Sequence, residues 1–375
     1  MTTTLPPRSA AQSAAPHPAS PAPRPTALPL PPAGPQWFSA VMGTSILATL
    51  LHLHAADLPG VGALAPVVLV LAWVLLLGLS ASFAHRVRTV PGALRSTITN
   101  PAVAATWGTV SMGILAAGSA TLTVLPDLVP RFAPFALAVD EVTWLVGTGL
   151  GLVTSIGFAI ALRKGVAGEP SLIWGLPVVA PMVSATTGTA LVAHQDDPTI
   201  RAALLIACAA CFALALILGL IVFGIGYHYH WRTAPVPLAA SASTWIPLGI
   251  VGQSTAAAQA MATQAQGVLP PDVAARVHSA AMAYGWGMLA VGIPLIACAL
   301  FVTIRGFVRH MPFTPGWWAL TFPIGTLALG THLLGQASGH PLLPAASIAF
   351  TVTLVGTWTL CAVASVRAVA CARTA

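Results

Sequence analysis

Charge is nearly missing from long stretches of this chain, and that limits what it can fold into. The formal charges leave neutral intervals at 25–56, 58–85, 96–126, 142–162, 170–195, 202–231, 233–271, 277–304 and 310–366. A helix needs about 20 predominantly apolar residues to cross a bilayer. Of the 375 residues, 57% are hydrophobic and 6% charged, against roughly 25% charged in an ordinary soluble domain. Fifteen basic and eight acidic side chains do not furnish a water-facing surface of this size. That argues against a soluble enzyme, a secreted scaffold or a nucleic-acid binder. The formal charge of +7 lies between the apolar stretches, the distribution of a polytopic membrane protein.

Residues 1–35 differ from the rest. They hold 11 of the 33 prolines, with Arg8 and Arg24 as the only charged side chains, and lack the apolar core of a secretory signal. Such a Pro/Ala/Ser-rich segment cannot bury enough apolar surface to offset ordering and is expected to be a disordered cytoplasmic tail. The transmembrane domain is then 36–368, followed by a short cytoplasmic C-terminus, 369–375. Breaking the 57-residue final interval at Gly335–Pro341 predicts an all-α integral membrane fold of ten helices. Their expected bounds are about 37–54, 61–84, 104–124, 135–162, 175–193, 201–227, 245–265, 278–304, 316–335 and 342–367. With the N-terminus inside, twelve of the fifteen Lys and Arg fall in cytoplasmic segments, leaving Arg131, Arg201 and Arg276 outside. This positive-inside bias predicts both termini in the cytoplasm, and an inner (plasma) membrane location is expected.

The odd-numbered spans resemble one another at intervals of about 70 residues. Trp37 with Met42-Gly43 is followed by Trp107 with Met112-Gly113, then Pro181-Met182, then Trp245, Pro247 and Gly249, then Trp318 with Phe322-Pro323. The simplest description is five helical hairpins. Even spans are rich in large aliphatics, as in Val67–Leu79. Odd spans are dense in small and polar residues such as Thr187 and Gln253. A hydroxyl or amide in hydrocarbon is costly unless paired or wet. Odd spans are therefore expected around an axis and even ones against lipid; close packing of small residues without a pore is the plainer alternative. Pro177, Pro181, Pro247 and Pro323 fall within odd spans, where proline is expected to kink a helix. A kink turns a partly positive half-helix end toward an anion without any buried Lys or Arg.

Two segments carry a family resemblance: Pro35-Gln-Trp37-Phe-Ser-Ala-Val-Met42-Gly43-Thr44 and Trp317-Trp318-Ala-Leu-Thr321-Phe322-Pro323-Ile-Gly325-Thr326. They resemble the tellurite-resistance/dicarboxylate transporter family, which includes plant guard-cell slow anion channels, yeast malate permease and sulfite efflux pumps. The resemblance implies a quasi-five-fold ring of inner helices around a central pore, a homotrimer with one pore per protomer, and a phenylalanine gate. The matching residue here is Phe322. Apolar constrictions gate by bulk and dewetting, while a lone Phe on a membrane helix is otherwise ordinary packing. Met42, Met112, Pro181, Thr187, Pro247, Gln253, Pro323 and Thr326 are the accompanying candidates for the pore wall and helix kinks. The implied substrates are small anions or C4-dicarboxylates such as malate. No enzymatic activity, cofactor or metal site is expected. A proton-coupled dicarboxylate carrier and a sulfite exporter are the alternatives; a membrane-embedded enzyme and a non-transporting sensor come from other classes.

Three further residues bear on proton coupling. Asp140 and Glu141 fall early in the fourth span, and His332 toward the outer end of the ninth. An intramembrane acid points to function, proton relay included, yet acids near a helix N-terminus are also stabilised by its dipole. Cys208 and Cys211 form a C-x-x-C inside an apolar span without a second pair, which favours helix packing over metal or redox chemistry.

Overall fold

In the computed structural model, Thr2 and residues 30–374 are described, without the side chains of 373 and 374. Ten long helices carry the fold, and no strand occurs among the described residues. They are α1 (Ser39–Leu53), α2 (Ala65–Thr89), α3 (Trp107–Leu128), α4 (Ala133–Arg163) and α5 (Gly175–Ala193). The rest are α6 (Pro198–Arg232), α7 (Ile246–Ala265), α8 (Pro271–Val308), α9 (Phe322–Ser338) and α10 (Leu342–Thr374). Two short helices, Ala93–Thr99 and Pro101–Ala104, lie between α2 and α3. The expected break near Gly335–Pro341 occurs. Gly339, at φ 66°, caps α9 in the left-handed region, and its N–H donates to the Gly335 carbonyl, a conformation only glycine adopts cheaply.

Seven helical segments, those containing α2, α3, α4, α5, α6, α8 and α10, are long and apolar enough to cross a membrane. The other three do not reach that mark. α1 has 15 residues and α9 has 17, while α7 includes Gln253, Ser254, Thr255 and Gln259 in its 20.

Packing separates the two helix classes. α1 packs on α3, α3 on α5, α5 on α7, α7 on α9, and α9 back on α1. Each even helix leans on the odd helix before it and the odd helix after it, with α10 closing from α9 to α1. The apolar windows of the even helices are 17–28% buried, against 78% and 83% for those of α3 and α5. Large aliphatics such as Val67, Val153, Ile206 and Ile293 stay exposed on the outside, where a soluble protein would rarely leave so broad an apolar surface.

Indole N–H groups tie neighbouring helices together. Trp73 donates to Thr121 Oγ1 at 2.9 Å, Trp144 to the Ser184 carbonyl at 2.9 Å, and Trp358 to Thr44 Oγ1 at 2.9 Å. Most hydroxyls of the inner helices return their proton to a carbonyl one turn back, as Thr44, Thr121 and Thr187 do. That disposes of the desolvation cost without water.

The tail expected over 1–35 lies outside the described residues except for Thr2 and 30–35. The carbonyls of Pro31, Ala33 and Pro35 accept from Trp37 Nε1, Arg86 and Thr109 Oγ1 at 3.2, 2.8 and 2.7 Å. These last residues before α1 are thus fastened to the bundle.

Candidate functional site

The first turns of the five inner helices enclose a cavity of about 390 Å³. Each helix contributes at one equivalent position: Met42 from α1, Met112 from α3, Val179 from α5, Gly249 from α7 and Phe322 from α9. The intervals are 70, 67, 70 and 73 residues. One turn earlier the same intervals give a second row, Ser39, Thr109, Leu176, Ile246 and Ala319. Residues three apart on a helix share a face, so the two rows form one continuous wall.

Beyond Phe322 lies a second cavity of about 60 Å³. Four residues past the first row come Ile46, Ala116, Val183 and Gln253, and the next turn adds Thr49, Ser119, Thr186 and Leu329. Phe322 is 4% exposed and lines both cavities. Its ring is therefore the side chain common to the wide chamber and the narrow one. Gly249, in the same row, has only Pro323 Cγ within 4 Å of where a Cβ would sit, so the wall opposite the larger side chains stays open.

Neither cavity has an Asp, Glu, Lys, Arg or His in its wall. The polar groups are hydroxyls, backbone and one carboxamide in each, Gln36 in the wide cavity and Gln253 in the narrow one. Four of the five inner helices, α1, α5, α7 and α9, follow a 3-10 turn beside the wide chamber. The helix N-termini gathered there give that end a partly positive character through their dipoles. Among the described residues no group of three or more His, Cys, Asp or Glu is placed to hold a metal ion.

Of the candidates from the sequence, Met42, Met112, Pro323 and Phe322 meet in the wide cavity, and Thr187, Gln253 and Phe322 in the narrow one. Pro181, Pro247 and Thr326 line neither; Thr326 is fully buried, with its hydroxyl on the Pro323 carbonyl at 2.7 Å. Two expectations need correction. Pro247 and Pro323 do not kink their helices. They occupy the first turn, after the 3-10 segments Leu238–Trp245 and Pro315–Leu320, where proline removes no helical hydrogen bond. Among the described inner helices, Pro181 lies inside α5 and Pro126 near the end of α3, while Pro177 falls in the first turn of α5. The repeat also slips in α5: Val179, not Met182, takes the place of Met112. Matching methionines misleads because the segment before α5 is three residues shorter than a strict 70-residue period requires.

Asp140, Glu141 and His332 line neither cavity, and they fall in two separate places. Asp140 is fully buried at the α3–α4 contact, beside Gly118, with no hydrogen-bond partner for either carboxylate oxygen among the described residues. Glu141 accepts from Gln195 Nε2 at 3.1 Å. His332 packs edge-on against His54, ring centroids 5.3 Å apart, and meets Gln336 at 3.0 Å. Gly249 was legible in the sequence as a repeat match and Ser119 as one of the polar residues of the odd spans, whereas Val179 and Leu329 were missed; the repeat interval, counted from Met42 and Met112 with the slip allowed, is the signal that finds them.

Comparison with known proteins agrees with the arrangement. The sequence profile of the voltage-dependent anion channel family matches residues 33–366. A sulfite efflux pump of Trichophyton rubrum is 25% identical over 335 residues, covering 87% of this chain and 88% of that protein. Sulfite efflux pumps of Arthroderma benhamiae and Arthroderma otae are each 24% identical with the same coverage.

Proposed function

The chain belongs to the voltage-dependent anion channel family, and from that premise we propose that it passes small anions through a central pore gated by Phe322. The observation that carries this reading is the shared position of Phe322 between two otherwise separate cavities. The pore wall would be the inner helices α1, α3, α5, α7 and α9, a quasi-five-fold ring in which all ten helices cross the bilayer as five hairpins. α1, α7 and α9 tolerate short or polar spans because they are screened from lipid by the even helices. Helix ends and hydroxyls, in place of Lys or Arg, would favour anions while binding them weakly enough to release them.

The positive-inside bias supports cytoplasmic termini, which turns the wide cavity toward the cytoplasm, and the plasma membrane is the expected location. Residues 36–368 would form the transmembrane domain, and a homotrimer with one pore per protomer is the expected assembly. The reaction is transport without covalent chemistry or cofactor. Among small anions, export of sulfite is the specific alternative that the three fungal relatives favour. A proton-coupled dicarboxylate carrier gains less support, since Asp140, Glu141 and His332 lie off both cavities.

The test is anion flux in proteoliposomes, wild type beside Phe322→Ala, with chloride, nitrate, sulfite and malate measured separately. Removing the ring joins the two cavities, so flux is expected to rise at least several-fold. Unchanged flux in a folded Phe322→Ala protein would overturn the gate.

A further inference from the structure

The narrow cavity holds a polar side chain with nothing to bind. Gln253 is 2% exposed and lines this cavity. Its Oε1 is sealed from solvent without a donor, and its carboxamide makes no hydrogen bond among the described residues. A buried amide in that state is costly unless something else satisfies it. Gln259, on the same helix, also leaves its Oε1 without a donor among the described residues, but its Nε2 donates to the Ala281 carbonyl at 2.7 Å and ties α7 to α8, so the two amides differ at the NH2 end.

The hydroxyls around Gln253 divide in the same way. Thr49, Thr186 and Thr187 spend their protons on the carbonyls of Ser45, Met182 and Val183, at 3.3, 3.2 and 3.0 Å. The Ser119 hydroxyl makes no such bond among the described residues and lines the same space. Two donors on opposite sides of the inner ring, from α3 and α7, thus remain unspent in one small chamber directly behind Phe322.

We infer that the Gln253 amide and the Ser119 hydroxyl form a binding site for one singly charged inorganic anion, the selectivity point of the pore. The inference rests on the pore reading and names its substrate class. With Oε1 sealed off, the NH2 end is the part of the carboxamide left for the chamber, and N–H and O–H donors solvate an anion. A neutral site contributes no full positive charge, so it replaces only part of an ion's hydration. Ions that part with water easily, such as nitrate and hydrogensulfite, are favoured over doubly charged ones. A four-carbon dicarboxylate would bring two charges into a chamber of about 60 Å³ with no ionisable residue in its wall, and passes more slowly.

The experiment uses the full chain in proteoliposomes with Phe322→Ala as the open background. Adding Gln253→Leu, which keeps the bulk and removes the donors, is expected to lower the nitrate-to-malate flux ratio at least five-fold. Gln253→Glu, which sets a negative charge there, is expected to cut nitrate flux at least ten-fold, and Ser119→Ala to lower the ratio about two-fold. A binding readout accompanies flux: nitrate should raise the thermal midpoint of the wild-type protein and not that of Gln253→Leu. If Phe322→Ala conducts and the anion ranking is the same in Gln253→Leu and Gln253→Glu, this site is wrong while the pore stands. If Phe322→Ala conducts no anion, the pore reading fails first. Malate passing as fast as nitrate through Phe322→Ala also overturns the assignment.

Discussion

The contact between α7 and α9 sets up a sharp test of how the inner helices are held. At Gly252 an added Cβ would lie 2.5 Å from the Thr326 carbonyl oxygen and still nearer the Thr326 carbonyl carbon and Leu327 N. Gly330 faces back: a Cβ there would lie 2.6 Å from the Gly252 carbonyl oxygen. Ordinary contact begins at 3.4 Å, so Gly252→Ala requires the two backbones to separate by about 1 Å. No rotamer can relieve this, since the obstructing atoms are main chain. Overpacking of this kind costs about 1–3 kcal/mol, offset by up to about 1 kcal/mol of helix propensity gained when glycine becomes alanine. Gly224, on the outer helix α6, supplies the control. Nothing lies within 4 Å of its Cβ position, so Gly224→Ala keeps the propensity gain alone. Equilibrium unfolding in detergent should therefore place Gly252→Ala about 1–3 kcal/mol below Gly224→Ala, which itself should lie slightly above wild type. A Gly252→Ala protein as stable as Gly224→Ala would refute the backbone-to-backbone contact.

Two further outcomes follow from named hydrogen bonds. The Ser347 hydroxyl donates its only proton to the Ala328 carbonyl at 2.8 Å, so it accepts from His54 Nε2 at 2.9 Å, while His54 Nδ1 meets Asp57 at 3.0 Å. His54 joins the end of α1 to α10 in this way, and His54→Phe should cost about 1–3 kcal/mol for the buried bond lost, read as a lower unfolding midpoint; an unchanged midpoint would contradict the linkage. Asp197 caps α6, accepting from the N–H of Thr199 at 2.7 Å and of Ile200 at 3.4 Å, and these backbone donors hold its carboxyl below the usual carboxylate range. Its folded value is depressed, so its contribution is full above the usual range and is lost as pH falls through the lowered value. Amide exchange at Thr199 and Ile200, corrected for intrinsic rates, should speed up at acid pH in wild type. The added acid sensitivity should vanish in Asp197→Asn, which keeps a capping oxygen without the charge, and its persistence there would argue against the carboxylate as the cause.

Much of the fold was legible because lipid and backbone chemistry act residue by residue. Neutral intervals of membrane length, the turn at Gly339 and the aliphatic content of the even helices mark their positions without help from elsewhere in the chain. Phe322 was legible through its setting, Trp318 four residues before it and Pro323 after it. The helix starts were less so. Pro247 and Pro323 fall in hydrophobic stretches that read as continuous helix, and only the observed 3-10 approaches show them at the first turn. Asp140 shows the same limit: its sequence position fits either an aqueous headgroup level or a buried one, and packing of α4 on α3 decides for burial.

The sequence by itself determined which stretches are helical, which of them are apolar on all sides, and that the inner helices repeat at about 70 residues. These depend on composition and local spacing alone. Tertiary structure decided which residues stand in one row. Val179 in place of Met182, Gly249 as the open position, and Gln253 with Ser119 around one small chamber all depend on the sliding of helices against one another. A three-residue shift in the segment before α5 moves its register by nearly a full turn, and no local property of those residues records it. The physical reason is that close packing of helices fixes their offset through contacts such as Gly252 on Thr326, which join residues 74 positions apart in the chain.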